Sequence, residues 1–226
     1  MRLSVAIDGP AGAGKSTIAK IIGKNFNLMY INTGAMYRAI TVMAIRNSIT
    51  YSETEKLCRL TDSLEMHFDK DKIIVNNEDL SNKVNMPDIS KQVSNYAAVS
   101  EIRERLVRLQ RKMSEKYDVV MDGRDIGTVV LKDAAFKFYL TASPEKRARR
   151  RFEEFMTKGI DVDYEKILSD IIKRDYIDSH REVNPLTKAE DAIEIDSSDM
   201  TIEQVVDFIT NRIRKDICEA SGIFKK

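Results

Sequence analysis

The chain has 226 residues, with 37 Lys and Arg against 36 Asp and Glu, a net charge of +1, 42% hydrophobic residues and 32% charged ones. The apolar fraction is ample for a packed core, which excludes intrinsic disorder, and the balanced charge lacks the basic excess of a dedicated nucleic-acid or anionic-lipid binder. No apolar run approaches the roughly 18 residues of a membrane-spanning helix, and no period of about 20 to 50 residues repeats.

Leu3 to Ile7 is a short apolar run closed by Asp8-Gly9-Pro10, the pattern of a buried strand ending in a turn. Gly9-Pro10-Ala11-Gly12-Ala13-Gly14-Lys15-Ser16 then matches G-x-x-x-x-G-K-[ST] at every fixed position, with a strand before it and a helix after. Glycines let such a loop curl so that its N–H groups face phosphate oxygens, and the dipole of the helix opening near Lys15 adds positive potential. Lys15 is suited to the β- and γ-phosphates and the Ser16 hydroxyl to Mg²⁺, while Thr17 continues into the helix.

A second strand is expected over Leu28 to Ile31, followed by a helix that opens at Asn32-Thr33-Gly34 and runs to about Asn47. Met66-His67-Phe68 and Lys72-Ile73-Ile74-Val75, separated by Asp69-Lys70-Asp71, predict a hairpin in a small β-rich insertion, with His67 as a strand residue and not a ligand. One long helix is expected from Ile89 to Lys116, carrying Ser94 and Arg103. Tyr117-Asp118-Val119-Val120-Met121-Asp122 reads as a buried strand ending in an acid that supports Mg²⁺. Gly123-Arg124-Asp125 places an arginine and a second acid beside it, at the strand edge where open α/β sheets bind ligands.

Phe136 to Leu140 is another expected strand. Arg147, Arg150 and Arg151 then lie three and four apart on one helix face, and clustered cations of this kind call for an anion or an acidic partner. Thr157-Lys158-Gly159 breaks that helix, Asp163 restarts one, and Arg174, Asp178 and Arg181 share its face. Ala192 to Ile195 gives the last strand and Ile202 to Ile217 a closing amphipathic helix.

Cys58 and Cys218 form no CxxC pair and have no His at zinc spacing, which predicts reduced thiols. The first residues are apolar for too short a stretch to form a signal-peptide core, so a cytosolic protein is expected. No coiled coil or apolar interface is evident, which leaves a monomer without nucleic-acid or membrane partners as the default expectation.

Alternating strands and helices with a phosphate loop after the first strand imply an α/β fold, a parallel sheet that binds a nucleoside triphosphate. A GTPase, a regulatory ATPase and a small-molecule kinase all fit that frame. Asn82-Lys83-Val84-Asn85 lacks the final Asp of a guanine reader, and the chain has no room for a large ATPase module. The arginines favour an acceptor that is itself a phosphate, already a nucleophile, which needs charge neutralisation and not a general base.

Four segments resemble the bacterial cytidylate kinase family in order and spacing: Asp8 through Thr17, Thr33 through Arg38, Asp122 through Val130, and Lys173-Arg174-Asp175 with Asp178, Arg181 and Pro185-Leu186. The likeness covers essentially the whole chain. It implies a P-loop core of residues 1–60, 93–145 and 174–226, a nucleoside-monophosphate-binding insertion at 61–92 and a helical lid at 146–173. It further implies transfer of the γ-phosphoryl group of ATP, with Mg²⁺, to CMP or dCMP in pyrimidine metabolism.

Carried over by position, Gly9 through Thr17 with Arg147 and Arg151 would bind ATP, and Lys15, Arg124, Arg150 and Arg174 would be the catalytic cations. Ser16 and Asp122 would serve Mg²⁺. Arg38, Arg124 and Arg174 would grip the acceptor phosphate beside Thr33 and Tyr37, while Ser94, Arg103 and Asp125 would read cytosine and Asp178 and Arg181 would contact the sugar. A kinase preferring UMP or dTMP, or a nucleotide-dependent binding protein without turnover, are the competing readings.

Overall fold

The computed structural model describes residues 2–157 and 159–220. Lys158, part of the expected helix break, lies outside the described residues, as do Met1 and residues 221–226 of the expected core.

β1 (Ser4–Asp8), α1 (Lys15–Phe26), β2 (Met29–Asn32) and α2 (Thr33–Arg46) alternate as expected. The Asn32 side chain caps α2 by accepting from the Ala35 amide at 2.8 Å, so the strand ends where the helix begins. An element not expected from sequence follows, α3 (Thr54–Asp62), a charged helix whose buried stripe is Leu57 and Thr61. β3 (Met66–Asp69), β4 (Lys72–Val75) and β5 (Glu78–Asp79) form a separate antiparallel sheet in which His67 is an exposed strand residue.

The expected long helix is two helices, α4 (Pro87–Ala97) and α5 (Ser100–Lys116). Val99 adopts an extended conformation (φ −68°, ψ 114°), which redirects the chain and lets the Arg103 Nη1 donate to the Ala97 carbonyl at 3.1 Å. The apolar period runs across the break, which is why the sequence pattern reads as continuous. β6 (Val119–Gly123), β7 (Phe136–Thr141), α6 (Pro144–Thr157), α7 (Tyr164–His180), β8 (Ile193–Asp196) and α8 (Ile202–Ala220) complete the chain.

The main sheet has five strands in the order β2-β6-β1-β7-β8, all parallel. β1 is its centre, and its side chains alternate between two apolar layers. Val5 and Ile7 join Phe138, Leu140, Ile22 of α1 and Ile209 of α8 on one face. Ala6 joins Ile31, Met121, Met36 of α2 and Ile102 of α5 on the other. Burial on both faces explains the nearly continuous apolar strands of the sequence. Met66, Ile73 and Val75 of the small sheet belong to the second cluster too, so the insertion packs on α2 and α4 without a core of its own. Among the described residues no helix is long and apolar enough to cross a membrane.

Candidate active site

The carboxyl ends of β1 and β6 open on a cleft of about 600 Å³, walled by α2, α4, α6 and α7. The residues expected to act together from sequence line it, except Gly9 and Pro10. Gly9 instead sits against β7 with φ +144°, where an added Cβ would lie 1.9 Å from the Leu140 carbonyl oxygen. Gly9→Ala must therefore shift the loop or the strand. Strain of this kind predicts ATP binding about tenfold to a hundredfold weaker, measured by calorimetric titration; an unchanged dissociation constant would show that the loop tolerates the displacement.

Lys15 is buried, and its Nζ donates to the Pro10 carbonyl at 2.6 Å. Burial, then the nearby Arg124, pushes its pKa well below the usual lysine value. The Ser16 Oγ donates to Asp122 Oδ2 at 2.8 Å, and the buried Tyr30 hydroxyl donates to the other oxygen, Oδ1, at 2.8 Å. Thr33 Oγ1 donates to the Asp122 carbonyl at 2.7 Å, tying the start of α2 to the end of β6.

In the same cleft Arg38, Arg124 and Arg174 converge, with Arg124 and Arg174 near enough to Lys15 to disfavour its charge. Arg124 Nε donates to Asp178 Oδ2 at 2.8 Å, whereas Arg174 Nε stands 4.0 Å from the same oxygen. Burial of Asp178 works against its ionisation, but Arg124 and Arg174 outweigh it and hold the carboxyl below the usual range. Burial and then Arg124 bring Arg174 down to about 10, and burial lowers Arg38 as well. The Nε atoms of Arg38 and Arg174 are buried without hydrogen-bond partners. Such donors, together with Lys15, make a pocket in which positive charge exceeds negative and an anion is the complementary ligand.

Deeper in, Arg103 and Asp125 form a buried, close ion pair, with Arg181 Nη2 3.7 Å from Asp125 Oδ1. The Arg103 guanidinium lies 5.2 Å from the Tyr37 ring centroid, and burial pushes the Tyr37 hydroxyl up to about 12. Ser94, on α4, lines the same end. Arg181 thus sits with Arg103 and Asp125, and Asp178 with Arg124 and Arg174, so the pair expected at the sugar stands at the junction of the two groups.

On the α6 side of the cleft the arginines differ in their partners. Arg147 is buried and has protein acceptors for its guanidinium: the Ala142 carbonyl at 2.8 Å, the Ala11 carbonyl of the loop at 3.0 Å, and both oxygens of Asp175 at 3.1 and 2.6 Å. In this arrangement it braces the loop against α7. Arg150 donates to the Ser197 carbonyl, and Arg151 stacks over Phe155 at 5.3 Å while lining the cleft.

A family model for cytidylate kinase matches residues 5–215. The chain is 65% identical over 217 residues to a cytidylate kinase of Clostridium acetobutylicum, covering 96% of this chain and all of that one. The chain belongs to the cytidylate kinase family. A cytidylate kinase of Clostridium tetani is 58% identical over 226 residues, the full length of both chains. An uncharacterized protein from Eubacterium ventriosum shares the fold, with a TM-score of 0.52 at 16% identity, covering 95% of this chain and 99% of that one.

In this cytidylate kinase family member six residues in or beside the cleft receive no part from sequence reasoning. Asp8 follows one apolar run and Tyr30 lies inside another, and nothing local says that one binds the 126–127 backbone and the other Asp122. Asp175 stands next to Arg174, and Ser197 follows β8; both acquire their parts through arginines from α6. Met200 and Val205, near the start of α8, add an apolar wall beside the loop that no motif marks.

Proposed function

We propose that the cleft transfers the γ-phosphoryl group of ATP to the phosphate of CMP or dCMP, giving ADP and CDP or dCDP. The observation that carries this reading is the second group of cations: Arg38, Arg124 and Arg174, lining the same cleft as the phosphate loop, with buried unpaired N–H groups on Arg38 and Arg174. Binding ATP alone needs only the loop. A second anion-binding site in the same cleft is what a phosphate acceptor requires.

In the transfer an acceptor phosphate oxygen forms a bond to the γ-phosphorus as the bond from that phosphorus to the β–γ bridging oxygen breaks, and ADP takes the electron pair. The acceptor oxygen is already anionic, so no general base is needed. The loop amides and Lys15 stabilise charge on the donor phosphates, and Arg124 and Arg174 orient the acceptor and offset repulsion between the two anions. Arg150 and Arg151, on α6, complete the donor side, with Arg147 holding the loop in place. The hairpin of α6 and α7 acts as a lid, and the small sheet with α4 encloses the nucleoside.

Ser16 Oγ and Asp122 Oδ2 are hard oxygen donors at the end of the loop, and so small a set fits Mg²⁺, which takes one or two protein groups together with substrate phosphates. The chemistry Mg²⁺ supplies when bound is neutralisation of charge on the β- and γ-phosphate oxygens. Asp122, fixed by Tyr30 and Thr33, presents its carboxylate there.

Cytosine offers an amino donor where uracil offers a carbonyl acceptor. The Asp125 carboxylate, with Arg103 and Ser94 donors beside it, suits the first. The test is ADP release with ATP, Mg²⁺ and each of CMP, dCMP, UMP, AMP, GMP and dTMP in turn. Turnover is expected with CMP and dCMP above the rest. Preference for another monophosphate would overturn the roles of Ser94, Arg103 and Asp125, and ATP binding without any turnover would overturn the kinase reading.

A further inference from the structure

We infer that Asp8 is a positioning residue for the acceptor half of the site: it caps the turn after Asp125 from a distant strand and so leaves the Asp125 carboxylate free to face Arg103 and Arg181. The inference rests on the acceptor-site reading above. Asp8 is the last residue of β1, directly before Gly9, and it is buried. Its Oδ1 accepts from the Ile126 amide at 2.8 Å and its Oδ2 from the Gly127 amide at 2.7 Å.

Those amides open the turn Ile126–Val130, which is closed by the Leu131 amide donating to the Ile126 carbonyl at 2.7 Å. The first N–H groups of a helical turn have no partner within it, and an Asp in the preceding position ordinarily supplies one. Asp125 occupies that position but makes no capping bond; its oxygens face Arg103 and Arg181. Asp8, 118 residues earlier in the chain than Ile126, does the capping instead. One carboxylate therefore connects the residue before the phosphate loop to the two residues after Asp125.

The arrangement favours an ionised Asp8, because a carboxylate presents strong acceptor lone pairs on both oxygens to the two amides. Protonation leaves one oxygen a weaker acceptor that carries a hydrogen of its own. Burial pushes the Asp8 carboxyl up to about 6, against the two amides that lower it; Asp125 adds to the rise and Lys15 opposes it, and Tyr139 and Lys137 of β7 also lie on this side, the Lys137 stem packing on Gly127 beside Asp8. The cap is strongest above that value and is weakened as the pH falls through it.

Asp8→Asn places an NH₂ against one amide at every pH. The expected result is a KM for CMP raised about tenfold, with the KM for ATP little changed and the melting temperature lowered by roughly 5 °C. In the nucleotide-free wild-type protein, the Ile126 and Gly127 amide proton resonances are expected to move together from about pH 7.5 to about pH 5, and Asp8→Asn to abolish that movement. Parallel rises in both KM values, unaltered KM values, or wild-type Ile126 and Gly127 amide resonances that do not move together at any pH down to about 3, below the ordinary Asp value, would each overturn the inference. The wild-type titration decides the matter if the variant does not fold. It is also independent of substrate, so a protein that fails to phosphorylate CMP leaves the test of Asp8 intact.

Discussion

Lys15→Met is expected to lower kcat by about a thousandfold while leaving the melting temperature unchanged or higher. The two halves of this result have one origin. Lys15 is buried, and burial, with Arg124 and Arg174 adding to it, disfavours its charge, against which Asp122 and Asp8 act only in part. A lysine whose folded pKa is depressed binds its proton less tightly in the fold than in the unfolded chain, so at neutral pH its charge costs stability. Methionine keeps the aliphatic stem and removes that cost, but it also removes the cation aimed at the donor phosphates. Steady-state turnover and thermal unfolding measured on the same preparation check both halves. Turnover within tenfold of wild type in a folded variant would sink the assignment of Lys15.

Asp125 carries the second large expectation, and it separates stability from selectivity. Asp125→Ala removes the nearest buried counter-charge of Arg103 and Arg181, since both guanidinium groups face its oxygens, and leaves them the more distant Asp178. Removing one partner of a buried ion pair costs about 3 to 5 kcal/mol, which in a chain of this size lowers the melting temperature by roughly 10 °C. Asp125→Asn keeps the shape and one acceptor but adds an NH₂ that can donate to a uracil carbonyl. The CMP to UMP ratio of kcat/KM is expected to fall roughly ten- to a hundredfold in this variant. If the ratio holds at its wild-type value in both variants, Asp125 reads no base and its work is to hold the arginines.

The legible part of the site is the part carried by consecutive residues. Gly9 through Ser16 announces a phosphate loop because only that run of glycines, lysine and hydroxyl satisfies a tight anion-binding turn, and the structure places Gly12, Gly14, Lys15 and Ser16 on the cleft. Arg174, Asp178 and Arg181 were expected on one face from helical spacing, and all three line the cleft. The division at Val99 escaped the same reasoning, because α4 and α5 bury residues at helical intervals on either side of a two-residue break. Arg147 escaped it differently. Its spacing puts it with Arg150 and Arg151, yet its length lets it reach back to the Ala11 carbonyl and across to Asp175.

By itself the sequence determined the phosphate loop, the alternation of strands and helices, the hairpin of β3 and β4, and a surplus of arginine at the ends of later segments. Backbone sterics and side-chain period decide such features within a few residues. Only the tertiary structure decided that β6 lies between β1 and β2, so that Asp122 meets Ser16 across 106 residues and Asp8 meets Gly127 across 119. Those meetings depend on strand order and register, which follow from how two apolar layers close over a single sheet and have no counterpart in any local pattern.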